Sequence, residues 1–375
     1  MDLLTIDTPA LIIEESKMNA NIERMRNRAK SLGVTLRPHL KTSKCWEVAK
    51  RQLWTPHGPA TVSTLKEAEE FASHGVKDMI YAVGIAPQKL YRVAALLRQG
   101  VDLKIILDNV QSAQAVSDFC QKENLPIKAL IEIDCDGHRS GLKPNDPELI
   151  TVAKAIQEPA RLVGVLTHAG GSYDVNTPEA LAQRAIGERD GICTAAKRLR
   201  EAGYPMEIVS VGSTPTALSD KDLSGVTELR AGVYVFFDLF QAGVGICEID
   251  DIALSLLVTV IGHQKEKGWV ITDGGWMALS RDRGTANQAV DQGYGLVCDI
   301  HGRLIDGLFV SSANQEHGII SARSGNKLKI EDFPIGTRLR ILPNHACSTG
   351  AQHPKYVVVD RGLEIKEIWD RFYGW

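Results

Sequence analysis

Apolar runs of strand length alternate with amphipathic stretches of helical period through the first two thirds of the chain. The runs are rich in Val, Ile and Leu and show no polar alternation, which is typical of parallel strands that helices cover on both faces. Strands are predicted at residues 10–13, 35–40, 60–63, 79–83, 104–107, 128–133, 162–168, 208–211 and 228–233, and helices at 16–31, 64–74, 87–98, 109–122 and 178–202. This α/β order predicts a closed (β/α)8 barrel of the TIM type, with an open doubly wound sheet as the alternative.

The pattern changes after about residue 240, where short strands follow one another with turn residues between them and no long helix. Strands are predicted there at residues 253–261, 269–273, 304–310, 327–330, 337–342 and 356–360. We therefore expect two domains, an N-terminal barrel over residues 1–240 and a C-terminal all-β domain over residues 241–375.

Charge and composition exclude several classes of partner. The chain has 43 basic and 46 acidic side chains, so it carries no basic surface for nucleic acid. The apolar run at residues 252–261 contains Ser255 and Thr259 and is too short to span a bilayer, and Asp2 stands where a secretory signal needs positive charge. Seven cysteines without a CxxC pair indicate a reducing compartment. We expect a cytoplasmic protein with no membrane or nucleic-acid partner.

A lysine lies at the carboxyl end of the second predicted strand, in the sequence RPHLKT. On an extended chain His39 and Lys41 project to the same face, which in a barrel is the interior. Active sites of such barrels lie at the carboxyl ends of the strands, where a lysine is costly unless it is paired, deprotonated or bound covalently. A Schiff-base lysine meets that condition. The alternative is that Lys41 and Lys44 are solvated loop lysines.

Small residues follow two late strands of the predicted barrel. They are Gly212, Ser213 and Thr214 after the strand at 208–211, and Gly232 and Tyr234 at the end of the next. Backbone N–H groups and hydroxyls can converge on an anion at such turns, which is how late strands of these barrels commonly bind phosphate. The pattern indicates a phosphorylated cofactor, and ordinary glycine turns are the alternative.

A single arginine, Arg139, follows the predicted strand at 128–133 in the sequence DCDGHRSG. A fixed cation at the mouth of the barrel suits the phenolate oxygen of an aromatic cofactor or a substrate carboxylate. The alternative is that Arg139 pairs with Asp134 or Asp136, which precede it in the same segment.

A histidine and a cysteine follow the predicted strand at 337–342, in the sequence PNHAC. Because residues two apart on an extended chain share a face, the imidazole of His345 and the thiolate of Cys347 can bind one divalent ion. Zinc is the first choice for nitrogen and sulfur ligands, with magnesium or manganese as alternatives. Two ligands leave positions for water and substrate, whereas a purely structural cysteine is the alternative.

Eight segments, taken in order, resemble the D-serine dehydratase and D-threonine aldolase family from about Thr8 to the C-terminus. They are TPALIIEESKMNANI, RPHLKTSK, IDCDGHRSG, GSTPT, ELRAGVYVFFD, DGGWMALS, QEHG and PNHAC. The resemblance implies an alanine racemase-like pyridoxal 5'-phosphate enzyme of fold-type III and a homodimer. It implies that Lys41 binds the cofactor covalently and that Arg139 lies near its phenolic oxygen. It also implies that the small residues and Tyr234 hold the phosphate and that the His–Cys pair holds the metal.

The resemblance further implies a lyase that acts on D-3-hydroxy amino acids. The leading expectation is a D-serine dehydratase that forms pyruvate and ammonia. The alternatives are cleavage to glycine and an aldehyde, as in D-threonine aldolase, dehydration of D-threo-3-hydroxyaspartate, and a non-enzymatic cofactor carrier. The racemase's second catalytic tyrosine and its arginine facing the pyridine nitrogen have no match, which argues against simple racemisation. Further candidates for contact with the substrate or with the residues that bind it are His39, His168, Tyr173, Gln315 and His317.

Overall fold

The computed structural model describes residues 1–219, 221–326 and 328–375. The chain divides into two compact units, which are treated separately below. The barrel unit comprises Arg24–Gly232 with Gly374–Trp375, and the β unit comprises Met1–Glu23 with Val233–Tyr373. The C-terminal dipeptide therefore belongs to the barrel unit, where the backbone oxygen of Trp375 accepts a hydrogen bond from Arg92 at 3.0 Å.

The strands and helices have the following bounds. The strands are β1 (Ala10–Glu14), β2 (Thr35–Leu36), β3 (Ala60–Val62), β4 (Asp78–Gly84), β5 (Asp102–Leu107), β6 (Lys128–Ile133), β7 (Arg161–Thr167), β8 (Ile208–Val211), β9 (Glu228–Leu229), β10 (Leu254–Gln264), β11 (Trp269–Thr272), β12 (Leu296–Asp299), β13 (Leu304–Ala313), β14 (Gly318–Ala322), β15 (Arg338–Leu342), β16 (Lys355–Val359) and β17 (Glu367–Asp370). The helices are α1 (Glu15–Ser31), α2 (Trp46–Gln52), α3 (Leu65–Ser73), α4 (Leu90–Arg98), α5 (Val110–Glu123), α6 (Glu148–Ala155), α7 (Pro178–Glu201), α8 (Thr214–Ser219), α9 (Leu239–Val244), α10 (Trp276–Leu279) and α11 (Ala346–Gly350).

The barrel unit contains eight parallel strands in the order β2-β9-β8-β7-β6-β5-β4-β3. The sheet closes beyond β2, where the N–H of Leu40 donates to the carbonyl of Thr61 at 2.9 Å and the N–H of Thr61 donates to Pro38 at 2.8 Å. Apolar residues on neighbouring strands, including Ile80, Ile106 and Leu130, are fully buried. The TIM-type barrel expected from the sequence is therefore confirmed, and the open sheet is excluded.

Side-chain caps define where the barrel helices begin. The hydroxyl of Thr64 accepts the N–H of Glu67 at the start of α3, and the side chain of Asn109 accepts the N–H of Ser112 at the start of α5. The hydroxyl of Thr177 does the same at the start of α7. Each cap satisfies an N–H that has no partner inside the helix, so the helix boundaries follow from the local sequence.

The β unit contains a nine-stranded sheet, within which β11, β14, β13, β12, β15 and β10 form a closed ring because β10 also pairs with β11. The core of this six-stranded barrel consists of buried aliphatic residues, among them Leu256, Val258, Val270, Val310 and Ile341. The expected C-terminal β domain is confirmed. Among the described residues, no helix has both the length and the apolar character to cross a membrane.

Two strand predictions require correction, and three strands were not predicted. The strand predicted at residues 10–13 exists as β1, but it pairs with β10 and β16 in the β unit and is not a barrel strand. Residue 327 of the strand predicted at 327–330 lies outside the described residues, and residues 328–330 form no strand. The prediction also missed β12, β14 and β17, because strands of only four or five residues are too short to show a clear periodicity.

Candidate active site

The predicted catalytic lysine lies just beyond the carboxyl end of β2. The chain stays extended past this short strand, because the N–H of Arg37 donates to Leu229 at 2.9 Å and the N–H of His39 donates to Ala231 at 2.8 Å. Lys41 is exposed, and no ion pair is recorded for it among the described residues. An exposed amine at the carboxyl end of a barrel strand is free to react with a carbonyl group.

The neighbouring lysine has a different environment. The ammonium of Lys44 lies 3.4 Å from a carboxylate oxygen of Glu67, its side chain is 17% exposed and that of Glu67 is fully buried. The expectation that Lys44 could be a solvated loop lysine is therefore wrong. The ion pair anchors the turn that follows Lys41 to the start of α3.

Two histidines of the barrel unit are held neutral. Burial, with Arg139 next in effect, lowers the pKa of His168 to about 3, and its Nδ1 lies 2.9 Å from the carbonyl oxygen of Gly212. Burial and the nearby Lys41 hold the pKa of His39 well below its usual value, and its Nε2 lies 3.2 Å from the hydroxyl of Ser63. Neutral imidazoles among fixed cations serve as hydrogen-bonding groups rather than as charges. The ring of Tyr173 lies 6.1 Å from that of His168.

The turn after β8 has the properties of an anion-binding turn. Gly212 has φ +146°, and a Cβ at this position would collide with the backbone of Arg230, so only glycine fits. The Ser213 hydroxyl lies 2.9 Å from that of Ser172, whereas the Thr214 hydroxyl is buried and has no hydrogen-bond partner among the described residues. A buried hydroxyl without a partner is costly unless a ligand satisfies it. The phosphate of pyridoxal phosphate meets that requirement.

Gly232 and Tyr234 lie in different units. A Cβ at Gly232 would lie 3.1 Å from the carbonyl oxygen of His39 and 3.2 Å from the hydroxyl of Thr42, so glycine allows the close approach of the lysine-bearing segment. Tyr234 is fully buried and belongs to the β unit. The barrel unit therefore brings together every predicted phosphate-binding residue except this tyrosine.

Arg139 lies on the loop after β6, half exposed, with its guanidinium 3.9 Å from a carboxylate oxygen of Glu132. The predicted alternative partners are otherwise engaged. Asp134 accepts the N–H of Gly137 at 2.8 Å and Asp136 accepts that of Gly171 at 2.7 Å. Among the described residues the ion pair of Arg139 is with Glu132, so the expectation that it pairs with either aspartate is wrong. The arginine remains available at the mouth of the barrel.

The sequence analysis missed several buried charged residues around this site. Arg230 is 4% exposed, and burial lowers its pKa to about 10. Its guanidinium donates to the hydroxyl of Ser210 at 2.5 Å and to the carbonyl of Thr167. A signal was present, because an arginine in the interior of the mostly apolar strand predicted at 228–233 has to be paired inside the barrel. Glu132, in the interior of the mostly apolar strand at 128–133, carried the same signal.

In the β unit, an aspartate holds the predicted metal-binding histidine. Nδ1 of His345 lies 2.6 Å from a carboxylate oxygen of Asp282, which also accepts the hydroxyl of Ser348 at 3.1 Å. Burial lowers the pKa of His345, but hydrogen bonds with Asp282 and Cys347 outweigh burial and hold it well above its usual value. With Nδ1 engaged, Nε2 is the ring nitrogen left for a metal ion, an arrangement that commonly fixes metal-binding histidines. Asp282 was missed in the sequence.

His345 and Cys347 come together at the start of a short helix and not, as expected, on an extended chain. His345 is extended, with φ −139°, and precedes the short helix α11, whereas Cys347 lies inside that helix. An imidazole nitrogen and a thiol in hydrogen-bonding contact make a donor set that suits zinc. Within the described part of the chain, no group of three or more His, Cys, Asp or Glu side chains could hold a metal ion. The pair therefore offers two protein ligands and leaves the other positions to water or substrate.

The remaining two candidates of the β unit, Gln315 and His317, are not hydrogen-bonded to His345 through their side chains in the described part of the chain. Gln315 and His317 are both exposed in the turn between β13 and β14. Their backbones hold the turn, since the carbonyl of Gln315 accepts the N–H of Met277 at 3.1 Å and that of His317 accepts Asn314 at 2.8 Å. Among the described residues, neither side chain forms a hydrogen bond or ion pair with His345.

Comparisons with known proteins agree with this architecture. The family model "Alanine racemase, N-terminal domain" matches residues 13–239, and "Putative serine dehydratase domain" matches residues 253–359. The chain is 52% identical to D-threo-3-hydroxyaspartate dehydratase of Delftia sp. strain HT23, over all of this chain and 99% of that protein, and the solved structure of that enzyme superposes with a TM-score of 0.97. The D-serine dehydratase of Dictyostelium discoideum is 30% identical over 97% of this chain and 96% of its own.

A further solved structure and two variants extend the comparison. D-threonine aldolase from Filomicrobium marinum has a TM-score of 0.83 at 25% identity, covering 99% of this chain and 96% of that one. Structures of the Delftia dehydratase include a cysteine-to-alanine variant in the metal-free form and a histidine-to-alanine variant, and the two substituted residues are two positions apart.

A parallel eight-stranded barrel together with a closed six-stranded β barrel defines the alanine racemase-like fold of pyridoxal-phosphate enzymes, and within it this chain is a lyase. The chain belongs to the family of the alanine racemase N-terminal domain and of the D-serine dehydratases, D-threonine aldolases and 3-hydroxyaspartate dehydratases.

Proposed function

We propose that this enzyme dehydrates D-threo-3-hydroxyaspartate, with D-serine as the second candidate substrate. The Cα proton and the β-hydroxyl leave as water, and the resulting enamine takes up water to give oxaloacetate and ammonia. The observation that carries dehydration is the His345–Cys347 pair held by Asp282. A histidine and a cysteine with the same spacing are the residues substituted in two structures of the Delftia dehydratase, and the cysteine variant was solved in the metal-free form. The 52% identity over the full length of that enzyme supports hydroxyaspartate ahead of serine.

The barrel residues supply binding and proton transfer. Pyridoxal phosphate, when bound, withdraws electrons from the Cα of an amino acid. Lys41 would hold the cofactor and, once released as a free amine, would take the Cα proton from the substrate. The cradle at Gly212 and Thr214 would hold the phosphate, and Arg139 would neutralise the phenolic oxygen.

The charge of the barrel mouth suits a dicarboxylate. Lys41, Arg139 and Arg230 bring positive charge to the carboxyl ends of the strands, and the neutral His39 and His168 add hydrogen-bonding groups. The carboxylate of Glu132, 3.9 Å from Arg139, offsets part of this positive charge. Hydroxyaspartate carries one more carboxylate than serine, so a cationic site favours it.

The β unit would supply the group that helps hydroxide to leave. His345 and Cys347 would hold a divalent ion, with zinc as the first choice and magnesium or manganese as alternatives. Such an ion would act as a Lewis acid on the β-hydroxyl of the substrate. Asp282 holds the imidazole in the orientation that a metal ligand requires.

The test is product analysis by NMR. The purified protein, loaded with pyridoxal phosphate and zinc, is given D-threo-3-hydroxyaspartate, D-serine and D-threonine in separate reactions. We expect oxaloacetate and ammonia from the first, faster than pyruvate from the second. Glycine with glyoxylate or acetaldehyde would make the protein an aldolase, and faster turnover of D-serine would reverse the order of substrates. Light scattering during gel filtration tests the homodimer that we also expect.

A further inference from the structure

A buried glutamate of α7 joins the loops that follow β7 and β8. One carboxyl oxygen of Glu188 accepts the backbone N–H groups of Ala169 and Gly212, each at 3.0 Å. The side chain is 1% exposed, and burial raises the pKa of its carboxyl group. A carboxyl group this deeply buried is costly, so its hydrogen bonds to the two loops are structurally important.

The two loops joined by Glu188 carry the anion-binding turn. Nδ1 of His168 lies 2.9 Å from the carbonyl oxygen of Gly212, while Glu188 holds the N–H of the same glycine. The carbonyl of Gly212 is therefore held by a residue that follows β7, and its N–H is held by a residue of α7. The hydroxyl of Ser213, the next residue, in turn lies 2.9 Å from that of Ser172. The direction in which the following hydroxyls point depends on these contacts.

Packing alone does not fix the position of Glu188. Its second carboxyl oxygen has no hydrogen-bond partner among the described residues, and the side chain borders a cavity of about 380 Å³ that Asp136 and Arg184 also line. The hydroxyl of Thr216, in the segment that follows β8, is a third hydrogen-bonding neighbour of the carboxyl group. Glutamine keeps the size and one acceptor oxygen of glutamate, whereas shorter side chains lose the hydrogen bonds to the two loops.

We propose that Glu188 is a positioning residue for the phosphate of the cofactor, which it serves by holding the loops after β7 and β8 in register. The proposal rests on the proposed function, since it takes the turn at Gly212 to be the phosphate cradle. Without this acceptor, two buried N–H groups lose their partner and the turn is free to move. Binding through the phosphate is then weakened, whereas binding through the aldehyde of the cofactor is not.

Paired ligands that differ only in the phosphate test the proposal. Dissociation constants of pyridoxal phosphate and of pyridoxal are measured by absorbance titration of the apoprotein, without substrate. In Glu188→Ala we expect the constant for pyridoxal phosphate to rise about tenfold or more and that for pyridoxal to change less than about twofold. Glu188→Gln, whose amide oxygen still accepts both N–H groups, is expected to stay within about twofold of wild type for both ligands.

Two further variants separate positioning from folding. Glu188→Asp shortens the side chain and withdraws the carboxyl group from both N–H groups. We expect it to lose affinity for pyridoxal phosphate and not for pyridoxal, and it replaces the alanine variant if that variant does not fold. Asn109→Ala removes the cap of α5 on the same barrel and is expected to lower stability with no selective effect on phosphate binding.

Equal losses for the two ligands would overturn the proposal, and so would a glutamine variant as weak as the alanine variant. Failure of wild-type protein to bind pyridoxal phosphate would instead overturn the proposed function.

Discussion

The histidines of the two units lie in opposite electrostatic surroundings. In the barrel unit, His39 and His168 lie near cations such as Arg139, and their partial burial together with these cations holds their pKa values low. In the β unit, burial also opposes the charged form of His345, but Asp282 and the neighbouring thiol raise its pKa. Burial acts in the same direction on all three rings. The sign of the neighbouring charge therefore decides the protonation state.

This difference divides the chemistry between the units. The barrel mouth keeps permanent positive charge on Lys and Arg side chains and uses neutral imidazoles as hydrogen-bonding groups, which suits an anionic cofactor and substrate carboxylates. The β unit concentrates anionic ligands around one imidazole, which suits a cation. Each unit can be tested by removing one group and measuring what is lost.

Removal of the barrel lysine is expected to have the largest effect. Lys41→Ala lowers turnover by about 10⁴-fold or more and abolishes the visible absorbance of covalently bound cofactor, because no other amine takes the same position. Absorbance spectra and release of 2-oxo acid measure both effects. Lys44→Ala is the matched control and keeps the absorbance, since Lys44 is paired with Glu67. Cofactor absorbance that survives in Lys41→Ala would contradict the assignment.

Removal of the thiol in the β unit is expected to separate metal from cofactor. Cys347→Ala loses bound metal and metal-dependent turnover by about 100-fold or more, while the cofactor absorbance persists. Elemental analysis of the dialysed protein and activity with added zinc measure the effect. Cys298→Ala, which removes a fully buried thiol of β12, is the control and keeps its metal. A metal content of Cys347→Ala equal to wild type would refute the pair as ligands.

A smaller effect is expected when the ligand stays but its support is removed. Asp282→Asn leaves both predicted ligands in place and weakens the hold on the imidazole of His345, so metal affinity falls by about 10-fold to 100-fold. Competition with a chelator measures the affinity. Asp299→Asn serves as the control, because Asp299 caps a turn at Arg303 elsewhere in the same unit. Equal metal affinities in the two variants would show that Asp282 does not support the site.

Much of the barrel site could be predicted because its residues follow strand ends directly. Lys41 and the Gly212 turn each stand next to an apolar run, and the topology of a parallel barrel brings such positions to one edge. Partners that come from other elements could not be predicted. Glu188 lies on a helix, at a position where a buried glutamate looks like any polar residue of an amphipathic face.

The β unit was less predictable for two physical reasons. Its first strand, β1, lies more than 200 residues before its partner β10, and no local pattern records such a pairing. The approach of Asp282 to His345 likewise depends on a loop 63 residues away in sequence. Residue types and spacing identified the His–Cys pair, but only the fold revealed the helix α11 that carries the cysteine.

The smallest expected effect tests the neutral state of the barrel histidines through stability. The pKa of His168 is about 3 in the folded protein and near 6.5 when unfolded, so between these values only the unfolded state takes up the proton. Wild type therefore loses stability as pH falls from about 6.5 toward 3, whereas His168→Asn lacks this loss. The free energy of unfolding is measured with denaturant at pH 6.5, 5.5 and 4.5. We expect the value for wild type to fall relative to that of the variant by about 1 kcal/mol per pH unit. A difference that stays constant with pH would mean that desolvation and the cationic neighbours do not hold the ring of His168 neutral.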